Sequence, residues 1–446
     1  MSTVQQNNLF REYLRYTLHS VTGMVGLSCY VLADTLFIAR GVGADGLAAL
    51  NIALPVYSLV FGVGMMIATG SAIRFSMLQA KGETERADAV FSEAIALSLT
   101  LSLIFSCCGF FFADRISAAL GASGQVLELT SVYIRTITLF SPMFMMNSLF
   151  MCFVRNDQAP RLAMRAQLIG TLFNIIFDYI LVFPMGMGMF GAALATCFSP
   201  VVSMLIMLEH KLRGNNHFHL TFWKEKTGFD WKQWNPKSLL TTCRLGLPSL
   251  VYEISSGIVI IVFNYILLGL AGDTGVAAYG IIANLAIVIV SVFNGIGQGI
   301  QPIVSTACAR GENEAAHTIY RWAVWTAVSF AAVIIALSIP NSSFVAGLFS
   351  QDADSALISL AVPGIDIYVW SFLFTGFNIV TVNYLAARTL AGKSFTVSIL
   401  RGLALVIPAV FILSSYLGIT GVWLAVPCAE LLTCMVAVAI TRHTAV

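Results

Sequence analysis

The stretch GLAALNIALPVYSLVFGVGMMIATGSAIRFSMLQAKGETE, residues 46–85, has a relative within the same chain: GVAAYGIIANLAIVIVSVFNGIGQGIQPIVSTACARGENE, residues 275–314. The two align without a gap at an offset of 229 residues and share twelve identical positions, among them Gly70 and Gly299. A second match, of GAALAT from Gly191 with GVWLAV from Gly421, has an offset of 230. Because the chain has 446 residues, this spacing is about half its length and indicates a duplicated unit.

The composition is that of a membrane protein. Apolar residues make up 58% and charged residues 10% of the chain, whereas a soluble domain has about 45 to 50% and about 25%. Apolar runs of about 20 residues, the length that crosses a bilayer as a helix, recur along the sequence. They predict an all-α polytopic membrane protein with twelve transmembrane helices. The expected spans are residues 14–39, 48–73, 90–112, 129–153, 163–184, 189–209, 245–270, 277–303, 318–340, 361–386, 396–416 and 419–440.

The basic residues predict the orientation of these helices. Cytoplasmic connections of membrane proteins carry an excess of Lys and Arg. With a cytoplasmic N-terminus, all of the 24 basic residues except Arg40, Arg115 and Arg135 fall on the cytoplasmic side. Both termini are then cytoplasmic, and we expect a multi-pass protein of the cell inner membrane. Six spans per copy return the chain to the same side, so the two lobes are parallel repeats related by an axis along the membrane normal.

A long polar segment separates the two copies and predicts the domain organisation. We expect an N-lobe at residues 1–209 with transmembrane helices 1 to 6, and a C-lobe at residues 245–446 with transmembrane helices 7 to 12. Residues 210–244 between them are expected to form a cytoplasmic linker. The N-terminal segment is polar and lacks a small-residue cleavage site, so we expect no cleaved signal peptide.

No group of residues indicates catalysis, a metal site or a cofactor. His217 and His219 flank Phe218 in the linker, and we interpret this part as a solvated loop without ligand spacing. The nine cysteines show no CxxC motif and lie almost wholly inside spans, so we expect no disulfides. No nucleophile and base converge, and no phosphate-binding GxxxxGK[ST] motif occurs. The net charge of +2 gives no reason to expect nucleic acid as a partner.

Four acidic residues lie inside the predicted spans, namely Asp34, Asp178, Glu253 and Glu430. A carboxylate near the middle of the membrane costs about 2.5 to 3.5 kcal/mol on insertion scales, so acids retained there indicate a function. Glu253, in the seventh span, is a candidate ligand for an ion or substrate in the other lobe, or a structural hydrogen-bond partner of a neighbouring helix. Glu430 follows Pro427, and we expect it to bond backbone groups that the proline frees.

Asp34 and Asp178 form the stronger candidate site. Asp34 lies in the first span, six residues before Arg40, and Asp178 lies in the fifth span, four residues after Asn174. The spacing of four places Asn174 and Asp178 on one helix face. Two carboxylates, a carboxamide and a nearby hydroxyl can bind a small hard cation or share a proton. The alternative is that Asp34 pairs with an arginine and Asn174 joins two helices.

Together, twelve spans, parallel six-helix repeats, a long cytoplasmic linker and Asp34 in the first span resemble the multidrug and toxic compound extrusion (MATE) family. The stretch DTLFIARGVGADGLAALNIALPV, which begins at Asp34, is similar to the first loop and second span of that family. GMFGAALAT and GVWLAVPCAE are similar to its sixth and twelfth spans. The resemblance covers nearly the whole chain and is closer to the prokaryotic branch with an acidic pair in the N-lobe.

This resemblance implies a secondary active multidrug efflux antiporter, which exports cationic amphipathic compounds while H⁺ or Na⁺ moves inward through alternating access of two lobes. It implies small-molecule cationic drugs as substrates, no cofactor beyond the coupling ion, and we expect a monomer. The residues matched to the ion site are Asp34, Asn174, Asp178 and Thr196, and those expected at the substrate cavity are Tyr133 and Glu253.

The chain departs from the family pattern at two places. Some members bend the first helix at a proline, whereas this span has none and offers Gly23 and Gly26 instead. Another branch has an acid in the tenth span, where this chain has Asn378 and Asn383. The first departure bears on how the first helix bends. The second favours an ion site in the N-lobe, although Glu253 resembles the seventh-span acid of that other branch.

Three other functions fit the sequence less well than efflux. A lipid-linked oligosaccharide flippase of the same superfamily lines its cleft with cationic side chains, whereas the spans here hold acids. A polytopic membrane enzyme needs a converging nucleophile and base or a metal cluster. A polytopic membrane protein with no transport role has no use for four acids inside its spans.

Overall fold

The chain folds almost entirely into α-helices. The computed structural model describes residues 3–214, 216–221, 223–224, 228–229, 236–349 and 355–442. The helices of the first half are α1 Thr3–Gly41, α2 Ala44–Ala80, α3 Thr84–Ala119, α4 Gly124–Leu139, α5 Ser141–Asn156, α6 Pro160–Val182 and α7 Gly188–Leu212. Those of the second half are α8 Pro236–Ala309, α9 Asn313–Ser338, α10 Ser342–Phe349, α11 Ser355–Tyr368, α12 Ser371–Ala387, α13 Ala391–Ile399, α14 Val406–Leu417 and α15 Ile419–Arg442. A π-helical turn, Leu400–Ala404, joins α13 to α14, and a short antiparallel ribbon pairs β1 Trp223–Lys224 with β2 Gly228–Phe229.

Twelve membrane spans account for the long apolar helices. Among the described residues, nine helices are long and apolar enough to cross a membrane, with α13 to α14 counted as one. One of them, α8, has 74 residues and is broken at Gly272, where φ is 60°. Its length of about 110 Å is several times the thickness of a bilayer core, so it provides two spans. Two bent helix pairs, α4 with α5 and α11 with α12, provide the remaining two. The prediction of a twelve-helix membrane protein is confirmed.

The two bent spans differ from the straight helices that hydrophobicity alone predicts. The expected span 129–153 is divided into α4 and α5, which meet at 50°, and the span 361–386 is divided into α11 and α12, which meet at 49°. At the first bend, Phe140 has a φ of −89° and a ψ of 8°, and Pro142 starts the next helix. Proline lacks an N–H and cannot complete the preceding helix, so the chain turns there.

The duplication is visible in the backbone. The loops after α2 and after α8 each contain a glycine with a φ of 76°, Gly82 and Gly311. The backbone N–H of Glu83 donates to the carbonyl five residues earlier at 3.0 Å, and that of Glu312 does the same at 2.9 Å. A positive φ is readily adopted by glycine, which explains why both copies retain it.

Two compact units divide the described chain. The N-unit contains residues 18–254 and 305–312, and the C-unit contains residues 1–17, 255–304 and 313–446. The first turns of α1 therefore belong to the C-unit, and the first turns of α8 belong to the N-unit. The boundaries expected for the lobes, 1–209 and 245–446, stay a prediction.

Part of the linker is packed into the N-unit. Phe218 is only 8% exposed. Its ring centroid lies 4.7 Å from that of Phe91, 5.8 Å from that of Phe153 and 6.1 Å from that of Phe75. The interpretation as a solvated loop holds for the side chains of His217 and His219, which are 64% and 63% exposed. It fails for Phe218, whose aromatic ring anchors the segment in the apolar core of the unit.

The two histidines beside Phe218 meet buried or half-buried carboxylates. Asp157 accepts hydrogen bonds from the His217 backbone N–H at 2.8 Å and pairs with the His217 ring Nδ1 at 2.9 Å. His210 Nε2, from the end of α7, lies 2.8 Å from Asp157 Oδ2, the oxygen that also accepts from the His217 backbone N–H. Asp88 accepts from the His219 backbone N–H at 2.8 Å. We call residues 216–221 the docked segment.

We expect Phe218→Ala to lower the free energy of unfolding by about 3 kcal/mol, because it removes a buried aromatic side chain and leaves a cavity. Thermal unfolding of the detergent-solubilised protein measures this change. Leu220→Ala is the matched control, since Leu220 lies in the same segment but is 59% exposed. Equal melting temperatures for the two variants would contradict the anchoring role of Phe218.

Candidate ion and substrate site

The predicted polar residues of α6 and α7 form one hydrogen-bonded group. Asn174 and Asp178 lie on the buried face of α6 and have no measurable exposure, and Thr196 on α7 is 4% exposed. With its carboxamide oriented to satisfy both neighbours, Asn174 donates to Asp178 Oδ2 at 3.2 Å and accepts from the Thr196 backbone N–H at 3.2 Å. The spacing of four residues on α6 thus brings the amide onto the carboxylate.

Asp34 on α1 completes this group. It is 7% exposed, and its carboxyl group interacts directly with that of Asp178. Two carboxyl groups in contact at this depth repel each other unless a proton or cation lies between them. The alternative, in which Asp34 pairs with an arginine, has no support among the described residues, whose ion pairs do not include Asp34.

Several oxygens of the group lack a protein partner. Within the ranges that the structure describes, no hydrogen bond is made to Asp34 Oδ1, Asp178 Oδ1 or Thr196 Oγ1, although all three are buried. Buried polar atoms are nearly always hydrogen-bonded, so unsatisfied ones call for an explanation. Oxygens from two carboxylates and a hydroxyl are the donor type that hard cations such as Na⁺ prefer, and either carboxylate can also take a proton.

Two tyrosines, Tyr30 and Tyr133, lie near the acidic pair, and a third, Tyr57, lies beside them. The predicted Tyr133, on α4, is 4% exposed and lies within electrostatic range of both Asp34 and Asp178. Tyr30 and Tyr57 were not singled out from the sequence, and their hydroxyl oxygens lie 3.3 Å apart. Tyr30 precedes Asp34 by four residues, so the helical spacing could have identified it. Nothing in the local sequence of Tyr57 on α2 points to its neighbour.

Glu253 lies in the same compact unit as the acidic pair. Glu253, on α8, packs its Cβ against Gly62 on α2. A Cβ built on Gly62 would lie 3.1 Å from the Cβ of Glu253. Glu253 is half-buried and within electrostatic range of Tyr30 and Tyr57. The sequence placed this acid in the other lobe, whereas the first turns of α8 belong to the N-unit.

Next to these tyrosines lies an aromatic surface. The rings of Tyr57 and Phe61 stack with a centroid distance of 5.9 Å, and Phe144 meets Tyr57 edge-on at 5.8 Å. Aromatic faces attract cations, and carboxylates nearby add to that attraction. The N-unit therefore combines three acids with aromatic rings.

The fourth acid, Glu430, has a different environment in the C-unit. It is 3% exposed, and its Oε1 lies 2.8 Å from Arg401 Nη2. Asn378 Nδ2 donates to Glu430 Oε2 at 2.6 Å and to the Glu430 carbonyl at 2.9 Å. The expectation that Glu430 bonds backbone freed by Pro427 is wrong, because a guanidinium and a carboxamide occupy its side chain.

Arg401 also differs from its expected position. The distribution of basic residues predicts a place for Arg401 in the cytoplasmic connections. In the structure, its side chain is only 12% exposed and lies against Glu430. It belongs to the π-helical turn Leu400–Ala404. An extra residue in a helical turn changes the direction of the following side chains, and this change gives Arg401 a neighbour that hydrophobicity does not reveal.

The described residues contain no group of three or more His, Cys, Asp or Glu that could hold a metal ion in the manner of a structural site. His217 and His210 approach the single carboxylate of Asp157 and are joined to it by hydrogen bonds. Their arrangement serves docking of the linker.

Comparison with known proteins identifies the family. The MatE family model matches residues 20–180 and 248–412, and the starts of the two stretches lie 228 residues apart. The multidrug export protein MepA of Staphylococcus aureus strain MSSA476 is 26% identical over 436 residues, which cover 98% of this chain and 94% of the relative. MepA of Staphylococcus saprophyticus is 24% identical over 440 residues, with the same coverage.

Solved structures show the same fold. An outward-facing multidrug resistance MATE family transporter of the MOP superfamily superposes with a TM-score of 0.89 at 22% identity, covering 97% of this chain and 95% of the other. A MOP superfamily transporter from Pyrococcus furiosus, described by the reversed polarity of its binding pocket, gives a TM-score of 0.87 at 21% identity, again covering 97% and 95%. Since the family model matches well over half of the sequence, the chain belongs to the MatE family, as its repeats and acidic residues imply.

Proposed function

We propose that the protein is a secondary active multidrug efflux antiporter that exports cationic amphipathic compounds in exchange for inward H⁺ or Na⁺. The observation that carries this proposal is the buried contact between Asp34 and Asp178, with carboxylate oxygens that no described protein group satisfies. The names of the staphylococcal relatives support export of several drugs. The antiport mechanism follows from the chemistry of the pair.

Asp34 and Asp178 are the groups that exchange the coupling ion. A proton or Na⁺ at the pair cancels one negative charge, and its release restores that charge. A drug cation is attracted only to the charged form, so drug and coupling ion exclude each other. Mutual exclusion at one site, combined with alternating access of the two lobes, is sufficient for antiport.

Asn174 and Thr196 hold the pair in place. The amide donates to Asp178 Oδ2 and thereby fixes the rotamer of that carboxylate, while the Thr196 hydroxyl adds an oxygen on the facing helix. Tyr133 and Glu253 are assigned to the substrate cavity, with the rings of Tyr57 and Phe61 as its apolar surface. Such a surface accepts different planar cations because aromatic contacts impose little directionality.

The coupling ion is tested by transport in proteoliposomes with one gradient at a time. In vesicles that hold the protein inside out, export appears as ethidium accumulation. This accumulation is followed under a pH gradient without Na⁺, and then under a Na⁺ gradient at equal pH. We expect one gradient to drive ethidium movement and the other to fail. Movement that is equal with and without either gradient would overturn the antiport proposal.

We further propose that the protein resides in the inner membrane as a monomer with both termini in the cytoplasm. The support is the distribution of basic residues. Apart from Arg40, Arg115, Arg135 and Arg401, whose side chain is only 12% exposed, all of them fall on one predicted side. Protease accessibility of a C-terminal tag in right-side-out and inside-out vesicles tests this orientation.

A further inference from the structure

The duplicated glycines Gly70 and Gly299 perform the same packing task in the two units. A Cβ built on Gly70 would lie 2.0 Å from the carbonyl oxygen of Thr242, in the first turns of α8. A Cβ built on Gly299 would lie 2.8 Å from the Cα of Thr17, in the first turns of α1. Both distances are shorter than any real Cβ contact, and both neighbours are backbone atoms. At each position, one helix therefore touches the bare backbone of another.

The contact at Gly70 and the contact at Gly299 correspond to each other in the repeat. The offset of 229 that relates Gly70 to Gly299 also relates Thr17 to Gly246. A Cβ built on Gly246 would lie 1.8 Å from the Met66 carbonyl on α2. The first helix of each copy thus packs its initial turns on the second helix of the other copy. We call the Gly70–Gly246 region the α2/α8 clasp and the Gly299–Thr17 region the α8/α1 clasp.

Side chains fasten the α2/α8 clasp within the N-unit. Arg74 Nη1 donates to the Ser238 carbonyl and to Thr242 Oγ1, both at 2.7 Å. The Thr69 and Ser249 hydroxyls lie 3.1 Å apart. Ser238, Thr242 and Ser249 all lie in the first turns of α8, so the clasp holds that end of the helix along several turns.

Within the C-unit, the α8/α1 clasp is fastened by a different set of contacts. The Tyr13 hydroxyl lies 2.7 Å from Thr326 Oγ1 on α9, and the ring of Phe10 meets Trp322 at 5.1 Å. The glycine contact is common to the two clasps, whereas the supporting side chains are not. The shared element, retained in both copies, is the close approach of backbones.

We propose that Gly70, Gly246 and Gly299 are positioning residues of a two-part cytoplasmic gate, in which both clasps separate in the step that opens the substrate cavity to the cytoplasm. This proposal rests on the proposed function. At the glycines, contacts between backbones lack interlocking rotamers, so the helices can part and return there without repacking an apolar interface; only the hydrogen bonds of the clasps have to break. The clasps lie at the helix ends that the basic residues place on the cytoplasmic side.

A methyl group at these positions prevents full closure of the clasps. Gly70→Ala and Gly299→Ala are therefore expected to favour the open gate, because overpacking against backbone displaces a helix and not a flexible side chain. The native Cys243, adjacent to Thr242 and half-buried, is the reporter of opening. Its reaction with a membrane-impermeant maleimide is followed by peptide mass spectrometry in inside-out vesicles.

We expect each of the two variants to raise the labelling rate of Cys243 by about tenfold, the change that overpacking commonly causes in an equilibrium. Ethidium efflux should fall in both. Gly280→Ala is the matched control. Gly280 lies on the same helix, α8, and a Cβ built on it would have no atom within 4 Å. That variant is expected to label and transport like the unmodified chain.

The Gly299 variant decides between a gate and local repacking. Gly299 belongs to the C-unit and Cys243 to the N-unit, so faster labelling in Gly299→Ala requires that the clasps act together. Unchanged labelling in Gly299→Ala would overturn the proposal, even if Gly70→Ala labels faster. If Gly70→Ala fails to elute as a folded protein, Gly246→Ala replaces it. Because labelling needs no drug gradient, failure of the antiport proposal leaves this result readable.

Discussion

Asp178→Asn is expected to abolish ion-coupled efflux and to raise ethidium accumulation in a pump-deleted strain to that of cells without the protein. The substitution keeps the size of the side chain but removes both the charge and the exchangeable proton. Without them, neither H⁺ nor Na⁺ can alternate with a drug cation at the pair. The loss is large because Asp178 has no exposure and contacts both Asp34 and Asn174.

Asp34→Asn is expected to give the same result, since either carboxylate alone lacks the partner that makes ion exchange and drug binding exclusive. Asp114→Asn is the matched control, because the side chain of Asp114 is 71% exposed and pairs only at the surface with Arg135. Folded protein in the membrane is measured by a fluorescent fusion. Wild-type efflux in both Asp34→Asn and Asp178→Asn would eliminate the pair as the coupling site.

The second large effect concerns stability. Arg401→Gln is expected to lower the free energy of unfolding by about 3 to 5 kcal/mol, because it leaves the Glu430 carboxylate buried without its counter-charge. The donor from Asn378 at 2.6 Å remains but carries no full charge. Thermal unfolding of the solubilised protein measures the loss.

Two comparisons identify the cause of that loss. The double variant Arg401→Gln with Glu430→Gln should recover much of the stability, since it removes both charges together. Arg135→Gln removes a surface ion pair with Asp114 and should change stability by no more than about 1 kcal/mol. If single and double variants unfold at the same temperature, the charge of Glu430 is not the source of the effect.

The spans and the acidic pair could be predicted because they depend on short-range patterns. Runs of apolar residues set the helices, and a spacing of four residues places Asn174 beside Asp178 on α6. Asp34 joined them because it is an acid inside the first predicted span, not through spacing. The carboxyl contact that makes it a partner is formed only when α1 and α6 pack together.

Contacts between residues that are far apart in the sequence could not be predicted from it. Tyr57 meets Tyr30 and Arg401 meets Glu430 across different helices, and no spacing along the chain encodes these pairs. The π-helical turn at Leu400–Ala404 is an added residue in the helical register, which hydrophobicity does not detect. Glu253 was assigned by its position after the linker, whereas packing places its part of α8 with the N-unit.

The burial of Phe218 in the docked segment could not be predicted, and the reason is the composition of the segment. A phenylalanine between two histidines, in a polar connection, has the average character of a solvated loop. The carboxylates of Asp157 and Asp88 satisfy the donors on either side, so only the ring enters the core. The partners of the segment lie on other helices, and Phe91 and Asp88 are more than a hundred positions away in the sequence, so the segment itself does not reveal its contacts.

The docked segment bears on how the two copies can exist apart. Residues 216–221 follow the first copy in sequence, yet they complete the apolar core of that copy by covering Phe91 and Phe153. A half-length chain that stops before His217 is expected to expose these rings to solvent, whereas one that continues past Thr221 keeps them covered. The connection between the two copies is thus an internal part of the first half, and the chain that completes the core of that half is longer than the repeat itself.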